Sequence, residues 1–231
     1  MQIESDVEQE IADTLRDAWE EREGRVVPDD NSVSFGNDAV KIEAVVLYAD
    51  LTASTALADN FLPTFAAKAI KAFLLASARL VRYFDGEITA YDGDRIMAVY
   101  IDDRPRTRAA RTALAINWAM VHVVNPRLKS GFQIPADFYL AHAVGIDVSE
   151  LFVIKAGIRA GSDLTWVGRA ANKAAKLSGL REGDYRSFID QDVFTAMMDD
   201  AKSHDGHEMW EQRSYGGRTI YRSRWWKKPS A

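Results

Sequence analysis

The stretch AYDGDRIMAVY, residues 90–100, joins two apolar segments through the dipeptide Asp92-Gly93. Asp-Gly between such segments predicts a tight β-hairpin, because it tolerates the positive φ angles of a two-residue turn. One aspartate is enough for that turn. The second, Asp94, begins the next predicted strand, where turn geometry alone does not explain a carboxylate.

The composition favours a globular protein. The 231 residues are 47% hydrophobic, which is enough for a sizeable core. The net charge of −5 argues against a general nucleic-acid binder, and the lack of cysteine excludes disulfides and thiolate metal sites. The acidic start, MQIESDVEQE, lacks the pattern of a signal peptide, and Lys68, Lys71 and Arg79 interrupt the most apolar window. We therefore expect a soluble cytoplasmic protein with no membrane or nucleic-acid partner.

Charge and apolar patterning predict two regions, 1–40 and 41–231. The first holds a polar helix over 3–23, followed by a linker. A thin apolar stripe on this helix predicts that it packs on a partner or on the main domain. The stripe consists of Ile3, Val7, Ile11, Leu15 and Ala18. The second region is the main domain.

The main domain begins with the apolar run IEAVVLYAD, 42–50, which is typical of a buried strand. The elements predicted after it are a helix (63–84), two strands (87–91 and 95–100), a helix (104–124), a loop (125–137), a pair of strands (within 140–157), a turn-rich loop, a helix (168–180), then a strand, a short helix and two late strands. This order predicts an α+β fold with a ferredoxin-like β-α-β-β-α-β core and extra strands, in which helices cover a mainly antiparallel sheet.

Asp50 ends the first predicted strand, and such a sheet can bring it beside Asp94 at one edge. Two converging carboxylates need protonation or a cation, and Mg²⁺ or Mn²⁺ suits such oxygen ligands. In the loop that follows, backbone N–H groups and the hydroxyls of Thr52, Ser54 and Thr55 are candidates to hold phosphates. Taken singly, each of these residues is as readily a turn or cap residue.

Three segments together resemble the metal-binding and catalytic segments of class III nucleotide cyclases, the adenylate and guanylate cyclase superfamily. They are VVLYADLTAST (45–55), AYDGDRIMAVY (90–100) and LTWVGRAANKAAKLSGL (164–180). The third resembles the G-x-x-x-N-x-A-x-R helix of the family, with Lys176 where the family usually has arginine. The resemblance covers about Ile42 to about Val193 and implies the class III cyclase fold.

The resemblance also implies roles for individual residues. Asp50, Asp94 and the Leu51 carbonyl would hold two divalent ions, Mn²⁺ or Mg²⁺, one of which lowers the pKa of the ribose 3′-hydroxyl. Asn172 would position the ribose, and Lys176 would stabilise charge on the α-phosphate. A lysine cannot make the bidentate fork of arginine, which bears on the rate more than on the reaction.

In this family each site is shared between two subunits, which implies a homodimer. Asp50 and Asp94 of one chain would meet Thr165, Asn172 and Lys176 of the other.

The base-reading positions differ from those of purine cyclases. Ala90 stands where those enzymes have lysine or glutamate, and Thr165 occupies the partner position. Asp92 before the glycine and Arg95 after Asp94 resemble the pyrimidine cyclases of Pycsar anti-phage systems, and Tyr91 and Arg95 are candidates to shape the base pocket. This resemblance implies that UTP becomes cyclic UMP, which activates a separate effector protein. CTP, and after it ATP, remain alternatives.

Two other classes of function remain open. In a phosphatase of the haloacid dehalogenase type, Asp50 would be the nucleophile, but that class has a second aspartate where Thr52 stands. A catalytically silent cyclase-like module that binds a nucleotide or a partner is the other, because Lys176 and Ala90 depart from the cyclase pattern.

Overall fold

The computed structural model describes residues 2–158 and 161–229. They form two compact units. One consists of the residues up to Glu43 together with Glu150–Gly168, and the other of Ala44–Ser149 together with the residues from Arg169 onward. The boundary placed at residue 41 by sequence stays a prediction.

The helices and strands have the following bounds. The helices are α1 (Gln2–Arg16), α2 (Ser54–Asn60), α3 (Pro63–Tyr83), α4 (Pro105–Ala119), a π-helical segment (Met120–Val124), α5 (Asn125–Gly131), α6 (Arg169–Ser178), α7 (Gln191–Ala196) and α8 (Asp199–Lys202). The strands are β1 (Glu20–Glu23), β2 (Asp38–Leu51), β3 (Glu87–Asp92), β4 (Arg95–Tyr100), β5 (His142–Ile158), β6 (Gly161–Val167), β7 (Ser187–Asp190), β8 (Ser203–His204), β9 (His207–Glu208), β10 (Glu211–Tyr215) and β11 (Arg218–Ser223).

The larger unit is built on strands in the order β10-β11-β7-β5-β2-β4-β3. The β2–β4, β3–β4, β7–β11 and β10–β11 pairs are antiparallel, and β5–β7 is parallel. On one face, α3 and α4 bury Phe73 and Leu114 in a core with Leu47 and Ile146. A smaller cluster includes Leu177 of α6. The predicted α+β class with a mainly antiparallel sheet is confirmed.

In the smaller unit, β1 pairs in parallel with residues 38–41 of β2, and β6 pairs antiparallel with residues 152–158 of β5. Helix α1 ends at Arg16 rather than at residue 23. The Asn37 side chain donates to the carbonyls of Thr14 and Asp17, and the Glu20 N–H then donates to the Asn37 carbonyl and starts β1. The chain there is extended because it gains a strand partner that is distant in sequence.

The prediction of a loop over 125–137 is wrong in its first half, since Asn125–Gly131 forms α5. Pro126 suggests a helix break, but proline is tolerated in the first turn of a new helix. The buried Asn125 side chain donates to the carbonyls of Met120 and Leu140 and accepts from the Leu140 N–H. These bonds join the π-helical segment to α5 without an intervening loop.

The predicted pair of strands within 140–157 is one strand, His142–Ile158. The polar residues Ser149 and Glu150 suggest a turn, but they lie within the continuous strand β5, where Ser149 is half-buried and Glu150 is exposed. The segment predicted as a turn-rich loop is the antiparallel strand β6. None of the described helices combines the length and apolarity that crossing a membrane requires.

Candidate active site

The hairpin from β3 to β4 carries Asp94 to the end of β2. Asp92 pairs with Arg95, so the two turn residues are Gly93 and Asp94 rather than the predicted Asp92 and Gly93, and Gly93 has φ +62°. Asp94 thus lies in the turn and not in the strand that follows it. Asp50, near the end of β2, also pairs with Arg95. Asp94 therefore lies one residue from the partner of Asp50, and the two predicted metal ligands share one edge of the sheet.

The electrostatics of this edge favour a cation. Burial, and then the negative charge of Asp94, raise the pKa of Asp50, while Arg181 and Arg95 oppose the rise. Asp94 Oδ2 is buried and has no hydrogen-bond partner among the described residues. A buried carboxylate oxygen without a donor is costly unless a cation reaches it. These residues therefore fit the predicted divalent ions, although no group of three His, Asp or Glu residues converges in the described ranges.

Arg181, just beyond α6, contacts this edge although the sequence patterns do not predict it. Its Nη2 donates to Asp50 Oδ2 at 3.1 Å and to the Leu51 carbonyl oxygen at 3.2 Å. Both acceptors belong to residues predicted to hold metal. Nothing in the sequence indicates this contact, because Arg181 lies 131 positions from Asp50 and in no motif.

The loop after β2 differs from the prediction. The Thr52 N–H donates to the Ala141 carbonyl at 2.8 Å, so this group is not available to a phosphate. Ala53 has φ +58°, and Ser54 and Thr55 then form the first turn of the short helix α2, which is separate from α3. Their hydroxyls remain predicted phosphate ligands.

The two candidates for the base pocket lie on the hairpin. Tyr91 pairs with Ile96 and is 55% exposed. Arg95 Nη2 lies 3.2 Å from Asp92 Oδ2, and Arg95 Nε lies 3.9 Å from Asp50 Oδ1. A β-bulge at Thr89 shifts the register just before Ala90, so Ala90 directly follows an irregular position of β3.

Asn172 and Lys176 are exposed on α6 and, four positions apart, share one face of that helix. Lys176 forms no ion pair with any described residue, so within one chain it does not meet Asp50 or Asp94. Thr165 lies on β6, opposite Ile154, and belongs to the smaller unit. How Thr165 relates to the site stays a prediction.

Several contacts fix α6. The Ser149 hydroxyl accepts from the Ala170 N–H at 3.0 Å, and Lys173 binds the buried carboxylate of Asp190. On the same side, Arg169 Nε lies 3.6 Å from Asp147 Oδ2. Burial raises the pKa of Asp147, and the guanidinium of Arg169 opposes that shift. This network and α6 together hold Asn172 and Lys176 in place.

No family model matches the chain. It is 43% identical over 217 residues to the uridylate cyclase of Xanthomonas perforans, covering 92% of this chain and 93% of the relative. It is 35% identical to that of Rhodovulum sp. (strain MB263), with full coverage of both, and 38% identical to that of Burkholderia cepacia, covering 97% and 98%.

Solved structures agree on the fold. A guanylyl cyclase crystal structure superposes with a TM-score of 0.66 at 19% identity, covering 82% of this chain and 95% of that one. An adenylyl cyclase from P. aeruginosa gives 0.62 at 18%, covering 80% and 95%. At such identities the likeness shows the class III cyclase fold alone. Since three relatives named uridylate cyclase share at least 35% identity over nearly their full lengths, the chain belongs to the uridylate cyclase family of nucleotide cyclases.

Proposed function

We propose that this chain converts UTP to 3′,5′-cyclic UMP and pyrophosphate. The observation that supports this most directly is the pair Asp50 and Asp94, in which a buried Asp94 oxygen without a donor lies at the same strand edge as a half-buried second carboxylate. The choice of UTP as the substrate rests on the names of the relatives, which are uridylate cyclases. In the reaction, the ribose 3′-oxygen attacks the α-phosphorus, pyrophosphate leaves, and the hydroxyl proton passes to solvent.

Asp50, Asp94 and the Leu51 carbonyl would hold two divalent ions, Mg²⁺ or Mn²⁺. When bound, these ions supply positive charge that lowers the pKa of the ribose 3′-hydroxyl and neutralises the triphosphate. The chain's part would be to bring three oxygens to one place, and the β2–β4 pairing, which puts Asp50 and Asp94 at the same edge of the sheet, supports this role. Thr52, Ser54 and Thr55 would donate their hydroxyls to phosphate oxygens.

Asn172 would orient the ribose, and the Lys176 ammonium would offset charge that grows on the α-phosphate. We propose that both come from a second copy of the chain. The exposure of both residues on α6 and the lack of an ion pair from Lys176 to Asp50 support a homodimer with shared sites. Mixing inactive Asp94→Ala with inactive Asn172→Ala tests this, because one intact site forms only if the subunits share it.

Ala90 and Thr165 would leave room that purine-reading side chains fill in other cyclases, and Tyr91 and Arg95 would line the pyrimidine pocket. Sites that select by hydrogen bonds strongly reject analogues that lack the matching groups. CTP is the alternative substrate, since no contact of the described residues separates the two pyrimidines.

Purified protein with Mn²⁺ and each of the four ribonucleoside triphosphates in turn, followed by mass analysis, tests the proposal. We expect cyclic UMP from UTP, and Asp50→Ala and Asp94→Ala to abolish it while the protein stays folded. Cyclic CMP alone would support the alternative, and cyclic AMP alone would contradict the argument from Ala90. No product from any triphosphate would favour a silent nucleotide-binding module.

We further propose that the product acts as a second messenger on a separate effector protein in anti-phage defence, in the cytoplasm where nucleoside triphosphates are made. The similarity of the hairpin to Pycsar cyclases supports this role. Effector activation by the purified reaction product, and not by substrate, would test it.

A further inference from the structure

Arg181 holds a fixed position between the end of α6 and the end of β2. Its Nη1 donates to the Ser178 carbonyl at 2.7 Å and to the Leu180 carbonyl at 3.0 Å. Its Nη2 donates to Asp50 Oδ2 and to the Leu51 carbonyl. Four hydrogen bonds orient this guanidinium, although the side chain is 36% exposed.

The two acceptors of Nη2 are oxygens of the proposed metal site. Nη2 lies 3.1 Å from one and 3.2 Å from the other, so its positive charge sits in front of both. Mg²⁺ binds oxygen at about 2.0–2.1 Å and demands near-ideal octahedral geometry. Each of these oxygens has two lone pairs, but an ion that binds both oxygens places like charges on either side of the same two atoms. The guanidinium and the ion therefore compete for these oxygens.

We propose that Arg181 is the resident counter-cation of the metal site, which a divalent ion must displace in order to bind Asp50 and Leu51. This inference rests on the proposed function, because it concerns the same ligands. Displacement frees the guanidinium from β2 while its bonds to the end of α6 remain possible. Metal binding is thereby coupled to the segment that follows the helix of Asn172 and Lys176.

Arg95 does not have this position. Its Nε lies 3.9 Å from the other carboxylate oxygen of Asp50, Oδ1, and its Nη2 contacts Asp92. Both arginines weaken the repulsion between Asp50 and Asp94, but of the two only Arg181 also donates to the Leu51 carbonyl. Competition with metal at that carbonyl is thus assigned to Arg181.

The test is a titration of the protein with Mn²⁺ in the absence of nucleotide. The electron paramagnetic resonance signal of free Mn²⁺ measures how much of the ion is bound. We expect Arg181→Gln to bind Mn²⁺ about two- to fivefold more tightly than the natural protein, the size of a partly exposed ion pair. The Mn²⁺ affinity of Arg181→Lys should lie between those of the natural protein and Arg181→Gln. The lysine variant replaces the glutamine variant in the test if the latter does not fold. Arg127→Gln is the matched control: it removes the same charge from an exposed position on α5 and should leave the affinity unchanged.

Unchanged or weaker Mn²⁺ binding in both Arg181 variants would overturn the inference, and weaker binding would make Arg181 a supporting residue instead. Asp50→Asn separates the two proposals. If it abolishes binding while the Arg181 variants do not tighten it, only the present inference fails. If it binds Mn²⁺ as well as the natural protein, the metal role of Asp50 fails, and the role of Arg181 fails with it.

Discussion

Gly145 of β5 and Ala174 of α6 lie so close that no side chain fits between them. A Cβ placed on Gly145 would lie 2.1 Å from the Ala174 carbonyl oxygen and 2.4 Å from the Ser178 nitrogen, both backbone atoms that cannot yield by a rotamer change. Helix α6 thus rests directly on the strand. The positions of Asn172 and Lys176 depend on this contact.

Gly145→Ala should therefore destabilise the fold and displace α6. Overpacking of this kind costs about 1–3 kcal/mol, and displacement of catalytic groups by about 1 Å can lower turnover about a hundredfold. Urea unfolding and steady-state cyclase assays measure the two effects. Gly131→Ala is the control, since its Cβ would have nothing within 4 Å, and it should lower neither stability nor turnover. Equal behaviour of the two variants would contradict the role of the contact.

The pair Lys173 and Asp190 gives a second prediction about α6. The Asp190 side chain is 1% exposed, binds Lys173 and accepts from the Asp192 N–H at 3.0 Å. Burial raises the pKa of Asp190, but the bond from Lys173 and the other donors outweigh it, so the net pKa is lowered. Lys173→Met leaves this buried carboxylate without its cation and should cost about 3 kcal/mol of unfolding free energy near neutral pH.

Because the folded-state pKa of Asp190 is depressed, its contribution is present above the unfolded pKa of about 4 and disappears as the pH falls through the folded value. The difference between natural protein and Lys173→Met should shrink in acid. Urea titrations at neutral and acid pH measure it, with Lys176→Met as a control on the same helix. A difference that stays constant with pH would argue against the ion pair.

Local chemistry explains which parts of the site the sequence could predict. The hairpin follows from Gly93 and the apolar residues that flank it, and Asp50 and Asp94 are predictable because strand ends at one sheet edge lie together. Helix α3 follows from the apolar periodicity that begins at Pro63.

Long-range contacts explain the rest. Helix α5 depends on Asn125 bonds to Leu140, β1 depends on its pairing with Asp38 and its neighbours, and Arg181 reaches Asp50 only after the sheet has formed. No local sequence pattern predicts any of these three features, because the partner that decides each of them is distant in sequence.

The buried imidazole of His142 should lower the stability of the folded protein in weak acid. Burial, reinforced by the charges of Arg186 and Arg181, lowers its pKa to about 3, and neither ring nitrogen has a hydrogen-bond partner in the described chain. The unfolded chain takes up a proton at about pH 6.5, whereas the folded chain does not, so stability falls as the pH drops below that value. Linkage gives a loss of about 2 kcal/mol between about pH 8 and about pH 5.

His142→Leu cannot take up that proton, so its unfolding free energy should depend less on pH over the same range. The measurement is the difference in urea midpoint between the two proteins at several pH values. Parallel pH profiles would show that His142 is not held neutral by burial.

Asp94→Asn should raise the stability of the metal-free protein and abolish its activity. Without metal, the Asp94 carboxylate raises the electrostatic cost of Asp50 and leaves its own Oδ2 without a donor. The amide removes the like charge and supplies an N–H, so the metal-free variant should be more stable by about 1 kcal/mol, a rise of about 2–4 °C in Tm. Turnover should disappear, because one of the two proposed metal carboxylates is lost.

Thermal unfolding in EDTA and the cyclase assay test both halves of this prediction. Asp92→Asn is the matched control in the same hairpin. Its side chain is 78% exposed, so its change in Tm should be small, and it should keep activity. A lower Tm for Asp94→Asn in EDTA would mean that the Asp94 carboxylate stabilises the metal-free hairpin, against the proposal that it is held ready for a cation.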